Sequence, residues 1–306
     1  MMEENKIEPE VSIIIINWNN YEDTSECLSS LEQIDYTNYN VFVVDNGSKD
    51  QSGDILSKEF SWANFIFLEQ NVGFAAGNNV AIQKAMEDDP DYILLLNNDT
   101  VVFEDFLNKL TQTAEDLDKT IVGGIGLSPC NEEPEPIGKL FLPSIATIIK
   151  DSDPEMGSCY EVDCLWGYLM LIPSSFIRKF GGLNEDYFFG FDDVEYCYRA
   201  RENGWDIVLE PESKIIHKGS STGGKMNPFR AYHNTRNRFQ FVFDNLGYLK
   251  ILVFIFSFLP LEFIRMTKAL NNDNLNLLEI PNIMLYSLLG SFDYLMNREH
   301  RPPSSF

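Results

Sequence analysis

The chain has 306 residues, 44% of them apolar and 23% charged, enough for a full core in one large domain or one domain with an appendage. With 23 Lys and Arg against 47 Asp and Glu, its formal charge of −24 repels nucleic acid, which is therefore not an expected partner. The five cysteines are odd in number and form no CxxC pair, and the polar, acidic start reads as free of a signal peptide; together these suggest reduced thiols and a cytoplasmic setting.

Apolar runs at residues 11–16, 41–45, 65–68 and 92–96 alternate with helical spacing over residues 22–33, 50–60 and 77–88. Such alternation predicts βαβ units: an α/β fold with a Rossmann-like, mostly parallel sheet flanked by helices. Three of the strands end in polar turns: Asn17-Trp18-Asn19-Asn20, Asp45-Asn46-Gly47-Ser48 and Asn97-Asn98-Asp99. Ligands of open α/β sheets gather at the strands' carboxyl ends. A carboxylate in such a turn, Asp99 here, can hold a divalent cation against a phosphate, although Asn and Asp also build ordinary turns. No GxGxxG follows the first strand and no GxxxxGK[ST] occurs, which argues against dinucleotide binding and excludes a P-loop.

The pattern loosens after Ile121-Val122-Gly123-Gly124. Residues 131–136 and 150–157 read as loops, and residues 162–172 as a strand containing Trp166-Gly167. A helix is expected from near Asp192 to Asn203-Gly204, with Asp192 and Glu195 spaced as in a capping box. Two short strands, residues 206–209 and 214–217, lead into residues 214–238. That segment carries Lys214, Lys218, Lys225, Arg230, Arg236 and Arg238, no Asp or Glu, and both His217 and His233; it is expected to face an anion. Gly223-Gly224 would permit a mobile lid. From Leu246 the chain turns apolar. Residues 251–261 are uncharged and contain Pro260, but a bilayer span needs roughly 20 apolar residues. An interfacial helix is expected, or else one packed on the body or on a second subunit, with residues 282–296 as another of the same kind. The division is thus residues 1–245 as the main domain and residues 246–306 as a helical tail.

Six segments in order, residues 11–17 (VSIIIIN), 43–50 (VVDNGSKD), 71–79 (NVGFAAGNN), 93–100 (ILLLNNDT), 190–199 (GFDDVEYCYR) and 232–238 (YHNTRNR), resemble a family 2 glycosyltransferase. The likeness is to the branch of rhamnosyltransferases and related cell-surface polysaccharide enzymes, and it covers roughly residues 11–245. It implies a GT-A fold and inverting transfer from a nucleotide-diphosphate sugar, UDP- or dTDP-linked, with Mg2+ or Mn2+. The acceptor would be a glycan or lipid-linked hydroxyl, and the place of action the inner face of the cell membrane with peripheral membrane contact. By the same resemblance Asp99 is a metal ligand and His217 completes the site, while Asn97 replaces the first Asp of the family's DxD-type motif. Asp45 would bind the nucleobase beside Asn17, and Gly73 and Asn78 lie in the segment approaching the nucleotide. Asp193 resembles the catalytic base, supported by Asp192. Arg236 and Arg238 would clamp the diphosphate, and Trp166 and Phe189 suit a sugar face or acceptor. Two alternatives stay open: a non-catalytic sugar-nucleotide-binding subunit, and a sugar nucleotidyltransferase.

Overall fold

The computed structural model describes residues 8–219, 227–272 and 280–296. Lys225 and the Gly223-Gly224 pair expected to hinge a lid lie outside the described residues. Strands β1 (Val11–Asn17), β2 (Tyr39–Asp45), β3 (Asn64–Phe67) and β4 (Tyr92–Leu96) alternate with helices α1 (Tyr21–Leu31), α2 (Ser52–Glu59) and α3 (Phe74–Ala85). They pair in parallel in the order β3-β2-β1-β4. Their apolar runs are continuous because both faces are covered. Ile14, Val44, Ile93 and Leu95 pack with Ala81 and Ile82 of α3, whereas Ile13, Ile15, Val43 and Leu94 pack with Leu28 of α1 and Leu56 of α2.

Beyond β4 the sheet continues through β10 (Leu169–Pro173), β6 (Thr120–Leu127), β11 (Asp206–His217) and β5 (Thr100–Val102), with β9 (Tyr160–Glu161) beside β11. β10 is antiparallel to both neighbours, while β6 and β11 are parallel, so this half is mixed. Helices α4 (Phe106–Asp116) and α5 (Ser174–Phe180) and the hairpin β7 (Ile137–Leu142)–β8 (Thr147–Asp151) complete the region before residue 190.

Several sequence expectations shift here. The strand expected over residues 162–172 is confined to Leu169–Pro173, leaving Trp166-Gly167 in a turn before it. The two short strands are one, β11, whose register against β6 shifts between Leu209 and Lys214. The glycine pair 123–124, where periodicity fades, lies inside β6; the following strand was hidden because Gly123 and Gly124 leave room for Leu165 and Leu169 from neighbouring segments.

After α6 (Asp192–Glu202) and β11 come α7 (Pro228–Asn245), α8 (Tyr248–Asn272, containing Pro260) and α9 (Ile280–Leu295). The tail helices pack on α7. Phe239 of α7 meets Phe254 and Phe258 of α8 with ring centroids 5.0 and 4.9 Å apart. The Tyr232 hydroxyl donates to Asp293 of α9 at 2.9 Å, and the Tyr294 hydroxyl donates to Asp244 at 2.9 Å. α9 turns small residues inward: Ser287, Ser291 and Gly290, where any side chain would strike the Tyr232 carbonyl. Its large residues Met284, Leu285, Leu288, Phe292, Leu295 and Leu289 point outward and are exposed. Among the described residues no helix is long and apolar enough to cross a membrane.

Candidate active site

Parallel pairing of β1 with β2 ends at Asn17 opposite Asp45, which brings the first two polar turns together. Asn17 is fully buried and its side chain is consumed there: Nδ2 donates to Asp45 Oδ1 and Ser52 Oγ, each at 2.8 Å, and Oδ1 lies 2.9 Å from the Thr24 hydroxyl. Asn17 therefore holds Asp45 in place, its side-chain hydrogen bonds being taken up within the fold. Asp45 keeps Oδ2, to which no described residue donates. The Thr24 hydroxyl accepts from Asn98 Nδ2 at 2.8 Å, tying this pair to the turn after β4.

In that turn Asp99 is 3% exposed, and its Oδ1 lies 3.5 Å from His217 Nε2 at the end of β11. Strand pairing explains the meeting: His217 is opposite Thr100 in the β11–β5 ladder, and the Lys218 amide donates to the Asp99 carbonyl at 2.9 Å. The other ring nitrogen, Nδ1, lies 2.9 Å from Glu135 Oε2, and the Tyr168 ring lies under the imidazole at 4.6 Å. Burial disfavours the charged imidazole, but hydrogen bonds to Asp99 and Glu135 outweigh it and push the pKa up to about 9. Nearby, the buried Asn97 side-chain oxygen has no hydrogen-bond partner among the described residues. Asp99, His217 Nε2 and this amide oxygen offer oxygen and nitrogen donors suited to a divalent cation. They do not form a closed cage; among the described residues no group of three or more His, Cys, Asp or Glu side chains could hold a metal alone. An open set still fits Mg2+ or Mn2+ shared with a diphosphate, since such ions are bound by one or two carboxylates with phosphate oxygens completing the shell.

Asp192 and Asp193 open α6. The helix is not started by the capping box expected from Asp192 and Glu195: its N-cap is Phe191, at φ 72°, directly after Gly190 at φ 72°. A bulky residue in that region is strained, and it is held there by rings of Phe141, Phe241 and Tyr187 at 6.2, 5.6 and 6.4 Å. Glu195 pairs instead with Arg199. Asp193 Oδ2 accepts from the Gly167 amide at 3.2 Å and Oδ1 from its neighbour Val194 at 2.8 Å. Gly167 belongs to the turn leading into β10, and β10 lies beside β4, so the Asp193 carboxylate faces the same sheet edge as Asp99. Burial raises the pKa of both carboxyls. For Asp192 repulsion from Asp193 adds to it, whereas the amides of Gly167 and Val194 counter it at Asp193. Asp192 is 3% exposed and Asp193 only half-buried, so Asp193 is the member presented outward.

Trp166 is half-buried between the Pro136 carbonyl, which accepts from Nε1 at 2.8 Å, and the Lys150 ammonium, 4.8 Å above its ring. Phe189 stacks edge-on against Phe229 at 5.1 Å, near His233. Four further residues expected near the ligand have close partners within the fold. Gly73, at φ 93°, caps α3, and the group that approaches it closely is Phe188, whose carbonyl oxygen would be 2.7 Å from any Cβ there. Asn78 is buried and donates to the Phe74 carbonyl of its own helix at 2.9 Å. Arg238, 1% exposed, is bound to Glu262 of α8 and to the carbonyls of Ile145 and Ala146 at 2.9 and 3.1 Å, which bolts the tail to the β7–β8 turn instead of offering a diphosphate clamp. Arg236 donates to Gln240 at 2.7 Å and to the Asp186 carbonyl at 3.1 Å, and burial lowers its pKa. Much of the basic segment's charge is thus met from within, Lys218 also bridging to Asp23 at 2.8 Å and to Glu26. Sequence reasoning missed Glu135 and Tyr168; Glu135 sits in an acidic, Pro-rich stretch with no periodicity to mark it.

The sequence profile described as "Glycosyl transferase family 2" matches residues 12–169, more than half of the chain. The chain belongs to that family. A Haloferax volcanii protein described as "Low-salt glycan biosynthesis hexosyltransferase Agl10" is 27% identical over 244 residues, covering 75% of this chain and 74% of the relative. The "dTDP-rhamnosyl transferase RfbF" of Shigella flexneri is 22% identical over 207 residues, covering 65% and 69%. Among solved structures, the mannosyltransferase PcManGT from Pyrobaculum calidifontis, in complex with GDP-Man and Mn2+, superposes with a TM-score of 0.58 at 13% identity, covering 96% of this chain and 89% of that one. The fold of this glycosyltransferase is GT-A.

The buried acidic pair yields a stability prediction. A carboxyl whose folded pKa is raised binds its proton more tightly folded than unfolded, so stability is highest below the unfolded value and falls as pH rises through the folded one. Asp192→Asn should therefore raise the thermal midpoint at pH 7 to 8 and show little advantage at pH 4, near the ordinary carboxylate value of 3.8. A lower midpoint at pH 7 to 8 would contradict the account of Asp192 as a charge held against its preference.

Proposed function

We propose that the chain moves a sugar, with inversion, from a UDP- or dTDP-linked donor to a hydroxyl of a glycan or lipid-linked acceptor in surface-polysaccharide synthesis. The observation that carries this reading is Asp193: a half-buried carboxylate held by the Gly167 amide, next to Trp166, at the edge where Asp99 meets His217. Inversion needs a carboxylate that takes the acceptor proton while the acceptor oxygen attacks opposite the leaving group. In that step the hydroxyl oxygen bonds to the anomeric carbon, the bond to the diphosphate breaks, and the proton passes to Asp193. Its raised pKa makes it a stronger base. Asp45 Oδ2, steadied by Asn17 and Ser48 on the other oxygen, would accept the imino N–H of uracil or thymine. Bound at Asp99, His217 Nε2 and Asn97, Mg2+ or Mn2+ would act as a Lewis acid that offsets charge on the departing diphosphate. Trp166 and Phe189 supply apolar faces for the sugar or acceptor. The carry-over of a nucleotide-sugar donor is supported by the dTDP-rhamnosyl transferase and the GDP-Man complex among the proteins it resembles.

Residues 1–245 form the catalytic unit in this reading and residues 246–306 a membrane-contacting tail at the inner face of the cell membrane. Support comes from α9, which packs Ser287, Gly290 and Ser291 inward and sends Met284, Leu285, Leu288, Leu289, Phe292 and Leu295 outward, the arrangement of a helix in lipid. Residues 246–306 carry five Lys and Arg and five Asp and Glu, so the net charge of −24 lies entirely in residues 1–245. A bilayer can receive the neutral tail without pressing two acidic bodies together, as pairing of tails would.

Asp193→Asn should lower kcat by about 10²- to 10⁴-fold, the usual scale of a lost general base, with donor KM little changed. The measurement is release of nucleoside diphosphate from a panel of nucleotide sugars with Mn2+ and a glycan acceptor. Transfer at the wild-type rate would remove Asp193 as base. For the tail, wild-type protein should float with phosphatidylcholine vesicles and the double variant Leu288→Glu, Phe292→Glu should not. Equal flotation of both would reject lipid contact through α9.

A further inference from the structure

Glu135 is a carboxylate at this edge with no part in the reaction just described, and its position is built rather than accidental. After β6 the chain folds tightly back: Ser128 and Glu132 exchange with Glu133 and Ser128 through backbone bonds of 2.9 Å, and the Glu135 amide donates to the Gly126 carbonyl at 2.8 Å. This lays the Glu135 side chain over β6 at Gly126. A Cβ on Gly126 would lie 3.2 Å from Glu135 Oε2 and 3.0 Å from the Tyr168 ring, so the glycine admits both. The Tyr168 hydroxyl accepts from the Gly126 amide at 3.1 Å, which fixes the ring beneath His217. His217 is thus gripped on its face by Tyr168 and at Nδ1 by Glu135, with Nε2 left toward Asp99.

We propose that Glu135 is a positioning residue for the cation site: by taking the Nδ1–H of His217 it orients the ring and presents Nε2, beside Asp99, to Mg2+ or Mn2+. The inference rests on the metal-dependent reading above. A carboxylate behind a ligating imidazole fixes its tautomer and raises its basicity, and loss of such a partner costs about 10- to 100-fold in metal affinity. Glu135 Oε2 is engaged with Nδ1, the ring nitrogen away from Asp99, so its part in this arrangement is to orient the ring.

The test is Mn2+ binding to the full chain with UDP present, read as free Mn2+ by electron paramagnetic resonance, together with the thermal midpoint of each metal-free variant. Glu135→Ala should weaken Mn2+ binding by about 10- to 100-fold, and Glu135→Gln by much less, since its amide oxygen can accept the same Nδ1–H. A merely structural role would instead make affinity follow the thermal midpoint across both variants. Wild-type affinity in Glu135→Ala, with weakened binding in His217→Ala, overturns the role of Glu135 and leaves the metal reading standing. Wild-type affinity in His217→Ala overturns that reading, and the inference with it. Equal weakening by Glu135→Ala and Glu135→Gln would also contradict it, because the accepting oxygen would then not be what matters.

Discussion

Carboxylates of like charge at one sheet edge repel one another, and this protein depends on giving each a different restraint. Asp45 is held by the Asn17 amide and the Ser48 hydroxyl, Asp99 by a histidine, and Asp193 by the backbone amides of Gly167 and Val194. Each restraint comes from a different kind of structure: a parallel strand register, an antiparallel ladder, and a turn meeting a helix N-terminus. In a chain of formal charge −24, long-range attraction would not gather acids in this way. Short, directed hydrogen bonds do it, and among the described residues they leave Asp45 Oδ2 and the buried Asn97 oxygen without a donor and Asp193 only half-buried.

The restraints also set apart the roles of neighbouring carboxylates. Asp192 and Asp193 are adjacent in sequence, yet one is buried against its charge and the other is offset by amides and partly open. Phe191, strained at φ 72° and wedged among aromatic rings, fixes the direction in which the pair leaves the loop. Strain of this kind, held by packing, clusters at functional sites. The tail contributes through the same packing. Arg238 joins α7 and α8 to the β7–β8 turn, and β8 ends next to Lys150, which covers Trp166. Helix α8 is thereby linked, by one buried guanidinium, to the hairpin whose Lys150 covers Trp166.

Much of the fold was legible because β1 to β4 are buried on both faces, and such strands show as unbroken apolar runs closed by polar turns. The places of Asp45 and Asp99 are legible for that reason, at the end of β2 and after β4, while Asp193 and His217 stand at the start of a helix and the end of a strand. Three kinds of feature were not legible. Gly123-Gly124 broke the hydrophobic signal of a true strand, because glycine there serves a neighbour's side chain. Asn17, Gly73 and Asn78 have the right residue types at the right edge, but sequence does not say whether a polar side chain faces a ligand or its own fold. Glu135 and Arg238 depend on contacts across 82 and 24 positions, respectively, that no local pattern records. The basic segment misled for the same reason, Lys218 and Arg238 being met by Asp23 and Glu262, distant in sequence.

The most direct measurement of the central claim, that these restrained acids share one nucleotide-sugar site, is the anomalous scattering of Mn2+ in crystals grown with UDP. The account predicts a single strong peak within coordination distance of Asp99 and His217 Nε2, bridging the diphosphate, with the uracil ring against Asp45. A peak held by Asp192 and Asp193, or a nucleotide bound away from the ends of β1, β2 and β4, would contradict it.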